Sequence, residues 1–254
     1  VSEVKATWLI CDVGPHDRIQ SLVYAIQEVE REVEVVSIKE MFDNNGLAPL
    51  ETKNDERKCV IFRGSINMSS ELRITRPNWV GHWHSRDLYL CSHYYSYWGS
   101  YITQRRYLMM TVAEVLRNWN WLFDSLGRDD KLFIRPNSGE KEFNGEIIAR
   151  KNKDLWRIMG VETKFTPIDE MCVVATPVDI QKELRLIIAD KKVVTGSVYR
   201  LGGTIWHEPL EDQHDRQQIV SFAEMVISCA PPNLPPVHCL DIAVEPDRFS
   251  LLEV

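Results

Sequence analysis

The residues best placed to do chemistry fall into three groups. Arg135 closes the apolar run KLFIRP (131–136), and the polar, glycine-containing stretch NSGEKE (137–142) follows it. A strand ending in a cation before such a loop gathers a guanidinium, a mobile Lys141 and backbone N–H groups at one point, which suits a polyphosphate. A plain β-turn between surface strands would read the same. The second group is Glu183 and Arg185 in KELRLIIA (182–189), with Arg200 closing the next run, VVTGSVYR (193–200). On a strand Glu183 and Arg185 share one face, while Leu184, Leu186 and Ile188 share the other. The charged face is either a solvated ion pair worth under about 1 kcal/mol or the floor of a polar cleft.

The third group is a pair of carboxylates. Asp241 interrupts LDIAV (240–244) and Glu253 interrupts LLEV (251–254). A carboxylate inside an apolar strand is costly if buried unpaired. Two of them opposed across a hairpin form an oxygen site for a hard cation such as Mg²⁺; the alternative is that each meets water on an edge strand. The connection decides the geometry. If residues 245–249 form it, the two carboxylates share a side of the sheet; a four-residue connection puts them on opposite faces. His82 and His84 share a face if extended, but two imidazoles without a third ligand do not make a zinc site. No GxSxG, Walker or HExxH motif occurs.

These residues need elements to hold them. TWLICDV (7–13), EVVSI (34–38) and CVIFRG (59–64) read as strands, and Ile19, Leu22, Val23, Ile26 and Val29 recur at helical spacing. Strand, helix, strand, loop, strand predicts a small α/β lobe with a parallel sheet. Nine aromatic residues lie between Trp79 and Tyr107. They suit either base stacking or a packed wall, and packing is favoured because aromatics bury much area. Leu108, Val112, Val115, Leu116, Trp119, Leu122 and Phe123 predict one long amphipathic helix ended by Gly127. Beyond it come strands at 131–136, 143–148 and 170–175. A hairpin follows at 183–200, a helix carries Ile219, Phe222, Ala223 and Val226, and the chain ends in a hairpin.

Composition narrows the classes. With 254 residues the chain can bury a core without staples. At 44% hydrophobic and 26% charged it is not a disordered chain. A formal charge of −7 argues against a general nucleic-acid binder, and Arg105-Arg106 is a thin basic patch. No apolar run reaches the ~18 residues of a membrane helix, and the first residues lack the pattern of a signal peptide, so no membrane partner and a cytoplasmic location are expected. Six cysteines without a CxxC pair predict buried free thiols in a reducing compartment. The chain starts without Met and stops within an apolar run, which suggests residues beyond both ends.

The order of the motifs carries more than any one of them. FIRPNSGEKEFNGEII (133–148), ELRLII (183–188), GSVYR (196–200) and LDIAVEPDRFSLLEV (240–254) resemble the ATP-grasp family, closest to the branch common in bacteriophage genomes. The resemblance covers about the last half of the chain. It implies an α/β (α+β) fold. An N-terminal lobe, 1–126, would hold the aromatic segment and the long helix, followed by a lid subdomain, 127–177, and a C-terminal antiparallel subdomain, 178–254. It implies an ATP-dependent carboxylate–amine or carboxylate–thiol ligase using ATP and Mg²⁺, acting through an acyl phosphate and releasing ADP and phosphate. Its partners would be a small-molecule or peptide carboxylate and a nucleophilic acceptor. The residues map onto roles. Arg135 occupies a position usually held by a phosphate-binding lysine, and Lys141 lies in the phosphate loop. Val173, Val174, Ala175 and Thr176 form the hinge strand along the adenine. Glu183 and Arg185 lie along the nucleotide, Arg200 steadies phosphate or carboxylate, and Asp241 and Glu253 hold Mg²⁺. The family's asparagine two residues after that glutamate falls past Val254. A nucleotide-binding sensor without turnover and a nucleic-acid-associated module are the alternatives.

Overall fold

The computed structural model describes residues 6–12, 16–29, 33–37, 59–64, 69, 72–74, 77–79, 87–139, 143–151 and 169–254. They divide into two compact units, Val1–Ser85 and Arg86–Val254. In the first, β1 (Ala6–Asp12) lies between β2 (Val33–Ser37) and β3 (Cys59–Arg63) in a parallel sheet, with α1 (His16–Val29) as the crossover. This is the α/β lobe the pattern predicts. Leu9, Ile10, Ile26 and Val60 are buried in it. The expected N-terminal lobe, 1–126, spans the boundary between the two units.

The second unit holds two sheets, antiparallel throughout. The smaller runs β4 (Tyr107–Thr111), β7 (Met171–Ala175), β5 (Lys131–Pro136), β6 (Glu146–Ala149). The larger runs β10 (Thr204–Pro209), β9 (Lys192–Leu201), β8 (Lys182–Ala189), β11 (Val237–Val244), β12 (Phe249–Glu253). Two-residue turns join the larger sheet's first strands. Asp190 and Lys191 both have positive φ, as do Gly202 and Gly203, which suits turns twisted in the same sense as the strands they connect.

The long helix predicted from Leu108 onward is corrected. Its first turn is the strand β4, and the rest is two short helices, α3 (Val112–Arg117) and α4 (Trp119–Leu126). Leu108 and Met110 pack on the same cluster as Val112 and Val115. A strand leading into a helix therefore imitated a single helical stripe. Thr111 and Glu114 close a capping box that starts α3. The strand β10 was not anticipated.

Helix α2 (Cys91–Trp98) and helix α5 (Arg216–Ser228) cover one face of the larger sheet. Leu184, Leu186, Ile188, Leu240 and Ile242 point into that core against Tyr94, Trp98, Ile219 and Ala223. Trp98 Nε1 donates to Val226 O at 2.8 Å, and Tyr95 OH donates to Gln104 Oε1 at 3.1 Å. The aromatic segment from Tyr94 to Tyr107 is thus a packed wall, and its polar tips are satisfied. The opposite face of the larger sheet carries the charged residues. Of the cysteines whose surroundings are described, Cys91 and Cys172 are buried, Cys59 is half-buried, and Cys229 and Cys239 are exposed; all five are free thiols. The expectation of buried thiols is corrected for Cys229 and Cys239. No described helix is long and apolar enough to cross a membrane.

Candidate active site

The face of the larger sheet turned away from its helical core forms one wall of a cleft of about 1140 Å³ within the second unit. Alternation along β8 delivers Glu183 and Arg185 to this face and leaves Leu184 and Leu186 in the core. The bidentate partner of Arg185 comes from β11, where Asp241 sits directly opposite it. Nε reaches Oδ1 at 2.8 Å and Nη2 reaches Oδ2 at 2.7 Å. The Asp241 side chain is only 4% exposed. This is no surface ion pair: the carboxylate is held in the floor of the cleft. Tyr199 OH donates a third bond to Asp241 Oδ2 at 3.3 Å, and its ring faces the Arg185 guanidinium at 5.3 Å. Burial, then the charges of Asp241 and Glu183, holds the Tyr199 phenol well above its ordinary pKa, so it stays a donor. The hydrogen bond to Asp241 likewise raises Arg185.

Glu253 reaches the cleft by an irregularity. The connection is four residues, 245–248, since β11 ends at Val244 and β12 begins at Phe249. Val244 pairs with Phe249, Ala243 with Ser250 and Ile242 with Leu251. Regular pairing would then set Asp241 against Leu252 and turn Glu253 to the other face. Instead the register shifts between Asp241 and Ile242, and Glu253 lies opposite Asp241. The expectation that a four-residue connection separates the carboxylates is corrected: Leu252 is the extra residue of a bulge. The backbone of Leu251 is held from outside the hairpin by Tyr101 and Thr103, at 2.7 and 2.8 Å.

The smaller sheet supplies the facing cation. Arg135 Nη2 donates to Glu253 Oε1 at 2.9 Å, and Nη1 lies 3.4 Å from Tyr94 OH and 3.5 Å from Leu252 O. Burial opposes its charge, but Tyr94, Cys91 and Glu253 more than offset this and hold its pKa well above the usual arginine value. Arg200 pairs with Glu183 at 3.5 Å on the same wall. Both Tyr199 and Arg200 line the cleft because β9 is bulged opposite Glu183.

The cleft therefore brings together Arg135, Thr176, Glu183, Arg185, Arg200, Asp241 and Glu253. It does not bring Val173, Val174 and Ala175 to its lining. Their side chains are fully buried, and they are paired on one side by β4 and on the other by β5. Lys141, His82 and His84 lie outside the described residues. Three lining features escaped the sequence reading: Tyr199, which alternation would have turned away; Gln104, a buried amide inside the aromatic segment; and the connection from Val178 to Gln181. Only Gln104 left a signal, as a polar residue in an aromatic stretch.

Two oxygen side chains facing each other fit a hard divalent cation that completes its shell with phosphate oxygens and water. Among the described residues no group of three or more metal-ligating side chains exists, so the set does not fit a cage built from protein alone. Comparison with curated proteins returns no match. Several solved structures share the fold. D-cycloserine synthetase DcsG is 13% identical with a TM-score of 0.57, over 98% of this chain and 90% of that one. The D-alanine–D-alanine ligase from Bacillus anthracis, complexed with ATP, is 15% identical with a TM-score of 0.56, over 99% and 84%. The ATP-grasp ligase PsnB, complexed with a minimal precursor, Mg and ADP, is 12% identical with a TM-score of 0.54, over 99% and 89%. Residues 103–254, more than half of the chain, match a family described as an ATP-grasp domain, the second family of its clade. The cleft's pairing of arginines with opposed carboxylates thus belongs to a known scaffold, and the chain is a member of the ATP-grasp family, whose members are ligase-type enzymes.

Proposed function

We propose that the chain is an ATP-dependent ligase joining a small-molecule or peptide carboxylate to an amine or thiol, with ADP and phosphate as products. The observation that carries this reading is the single cleft face on which Arg135, Arg185 and Arg200 meet Asp241 and Glu253. A carboxylate resists attack because it repels nucleophiles and its oxygen leaves poorly. Transfer of the γ-phosphoryl group to it removes both obstacles, and catalysis of that transfer is mostly positioning and charge stabilisation. Arg135 and Arg200 act on the transferring phosphoryl group and the acyl phosphate. Lys141 adds a mobile charge from its loop, and Glu183 and Arg185 lie along the nucleotide. Asp241 and Glu253 hold Mg²⁺, which when bound supplies charge neutralisation for the phosphates. The adenine contact falls on Thr176 and the segment after it rather than on Val173, Val174 and Ala175, because β7 already spends its backbone groups on two neighbours. Residues 127–177 serve as the lid that keeps water from the acyl phosphate, and residues 178–254 as the base. The motifs are those of the phage-associated branch, and the reaction is placed in the cytoplasm. The like folds named synthetase and ligase, one with ATP and one with Mg and ADP, support the reading.

The test is the nucleotide product. With ATP, Mg²⁺ and a panel of amino acids and short peptides, chromatography should show ADP and phosphate released in step with a new amide or thioester. AMP and pyrophosphate as the stoichiometric products would overturn the mechanism.

A further inference from the structure

In the cleft each of the three arginines is already paired with one carboxylate: Arg135 with Glu253, Arg185 with Asp241, Arg200 with Glu183. The pair at Asp241 differs from the others. Arg185 uses two nitrogens and covers both carboxylate oxygens, at 2.8 and 2.7 Å, and Tyr199 takes a third position on Oδ2. The carboxylate is almost fully buried, whereas the Arg185 side chain is 54% exposed. One partner is fixed in the floor and the other is free to turn outward. A cation approaching alone meets a neutralised carboxylate whose oxygens point at a guanidinium, so it would have to displace Arg185 and leave that charge without a partner. A polyphosphate changes the balance: it offers Arg185 a second set of oxygens in the geometry a guanidinium fork accepts.

We propose that Arg185, supported by Tyr199, is a positioning residue that keeps Asp241 closed to metal until nucleotide phosphates draw the guanidinium away. Metal and nucleotide then load together by an exchange of partners: the guanidinium passes from carboxylate to phosphate, and the carboxylate passes from guanidinium to metal. Tyr199 keeps its bond to Oδ2 throughout and holds the freed carboxylate in place. No covalent bond forms or breaks in this exchange. The proposal rests on the nucleotide-cleft reading above.

The experiment counts free Mn²⁺ by electron paramagnetic resonance, with Mn²⁺ alone and with Mn²⁺ plus ADP, corrected for the Mn²⁺–ADP complex formed in solution. The intact chain should bind Mn²⁺ about 5- to 150-fold more tightly when ADP is present, the usual range for two coupled sites. Arg185→Gln should bind Mn²⁺ alone more tightly than the unaltered chain does, and should lose most of the dependence on ADP. Arg185→Lys keeps the charge but not the fork, and should fall between the two. Adding Asp241→Asn to Arg185→Gln should abolish the gained binding. Arg200→Gln removes the same charge from the same cleft without freeing Asp241, and should change Mn²⁺ binding far less. Equal Mn²⁺ affinity with and without ADP in the unaltered chain, or equal effects of Arg185→Gln and Arg200→Gln, would overturn the proposal. Circular dichroism checks that each variant is folded, and Arg185→Lys carries the comparison if Arg185→Gln is not. ADP binding in the presence of a chelator, read by calorimetry, tests the nucleotide cleft separately. Its failure would remove that reading, while the comparison of Arg185→Gln with Arg200→Gln in Mn²⁺ alone would still decide the closing of Asp241.

Discussion

Arg135 shows how one side chain can be legible in type and illegible in setting. Its position at the end of an apolar strand, before a loop with a glycine, marks it as an anion ligand. Its partners come from far away in the chain: Tyr94 from α2, and Glu253 and Leu252 from β12. The guanidinium is 12% exposed, so it is held in a fixed direction. Removing it takes away a charge-assisted contact to phosphate worth about 1.5–3 kcal/mol. Arg135→Ala should therefore weaken ADP binding by one to two orders of magnitude, about 1.4 kcal/mol per factor of ten. Arg135→Lys should recover part of that, since it restores the charge but not the planar fork. Calorimetric titration with ADP checks both. An unchanged affinity in Arg135→Ala would take Arg135 out of the phosphate site.

At the scale of elements, the β8–β9 hairpin places three of the charged residues, and one glycine makes that placement fit. Gly196 lies opposite Leu186. A Cβ there would meet Leu186 Cδ2 and, at 2.8 Å, the carbonyl oxygen of Arg185. In open space, Gly to Ala in a strand stabilises by about 0.4–1 kcal/mol through the unfolded chain. Here the contact with backbone outweighs that gain. Gly196→Ala should destabilise by about 1–3 kcal/mol, the usual cost of overpacking. It should also disturb the Arg185–Asp241 pair, because the carbonyl that must move belongs to Arg185. The midpoint of urea unfolding reads the first effect, and Mn²⁺ binding without nucleotide reads the second. A stabilised Gly196→Ala would show that the two strands are less tightly apposed than the geometry indicates.

For the molecule as a whole, one buried histidine ties stability to pH. His238 on β11 donates from Nδ1 to Pro235 O at 2.9 Å, while its Nε2 is buried without a partner. Burial lowers its pKa below the ordinary 6.5, and the bond to Pro235 only partly opposes this. Protonation in the folded state would bury a charge and an unsatisfied N–H. Between the two pKa values the unfolded chain binds more protons, so stability rises with pH there. The contribution is complete above an unfolded value near 6.5 and is lost as pH falls from there through the folded value. His238→Gln should flatten that part of the profile. Urea unfolding at about pH 7.5 and about pH 5.5 checks it; the same loss in both proteins would assign the pH dependence elsewhere.

What the sequence by itself determined is the set of local periodicities and the order of the motifs. Alternation put Glu183 and Arg185 on the face opposite Leu184 and Leu186, and the broken apolar runs singled out Asp241 and Glu253. The strand–helix order gave the parallel lobe. Each of these depends on residues near one another in the chain, where side-chain direction follows from backbone period alone. The strand β4 was misread because Leu108 and Met110 share a core with Val112 and Val115, and helical spacing cannot separate the two cases. Only the tertiary structure decided who pairs with whom. Counting along the last hairpin turns Glu253 away from Asp241. The bulge at Leu252 turns it back, with the neighbouring Leu251 held by Tyr101 and Thr103 from some 150 residues earlier. The same holds for Tyr199, which a second bulge delivers to Asp241. A bulge shifts register by one residue and so exchanges the two faces of a strand. Its position is fixed by contacts across the fold, and no local pattern in the chain records it.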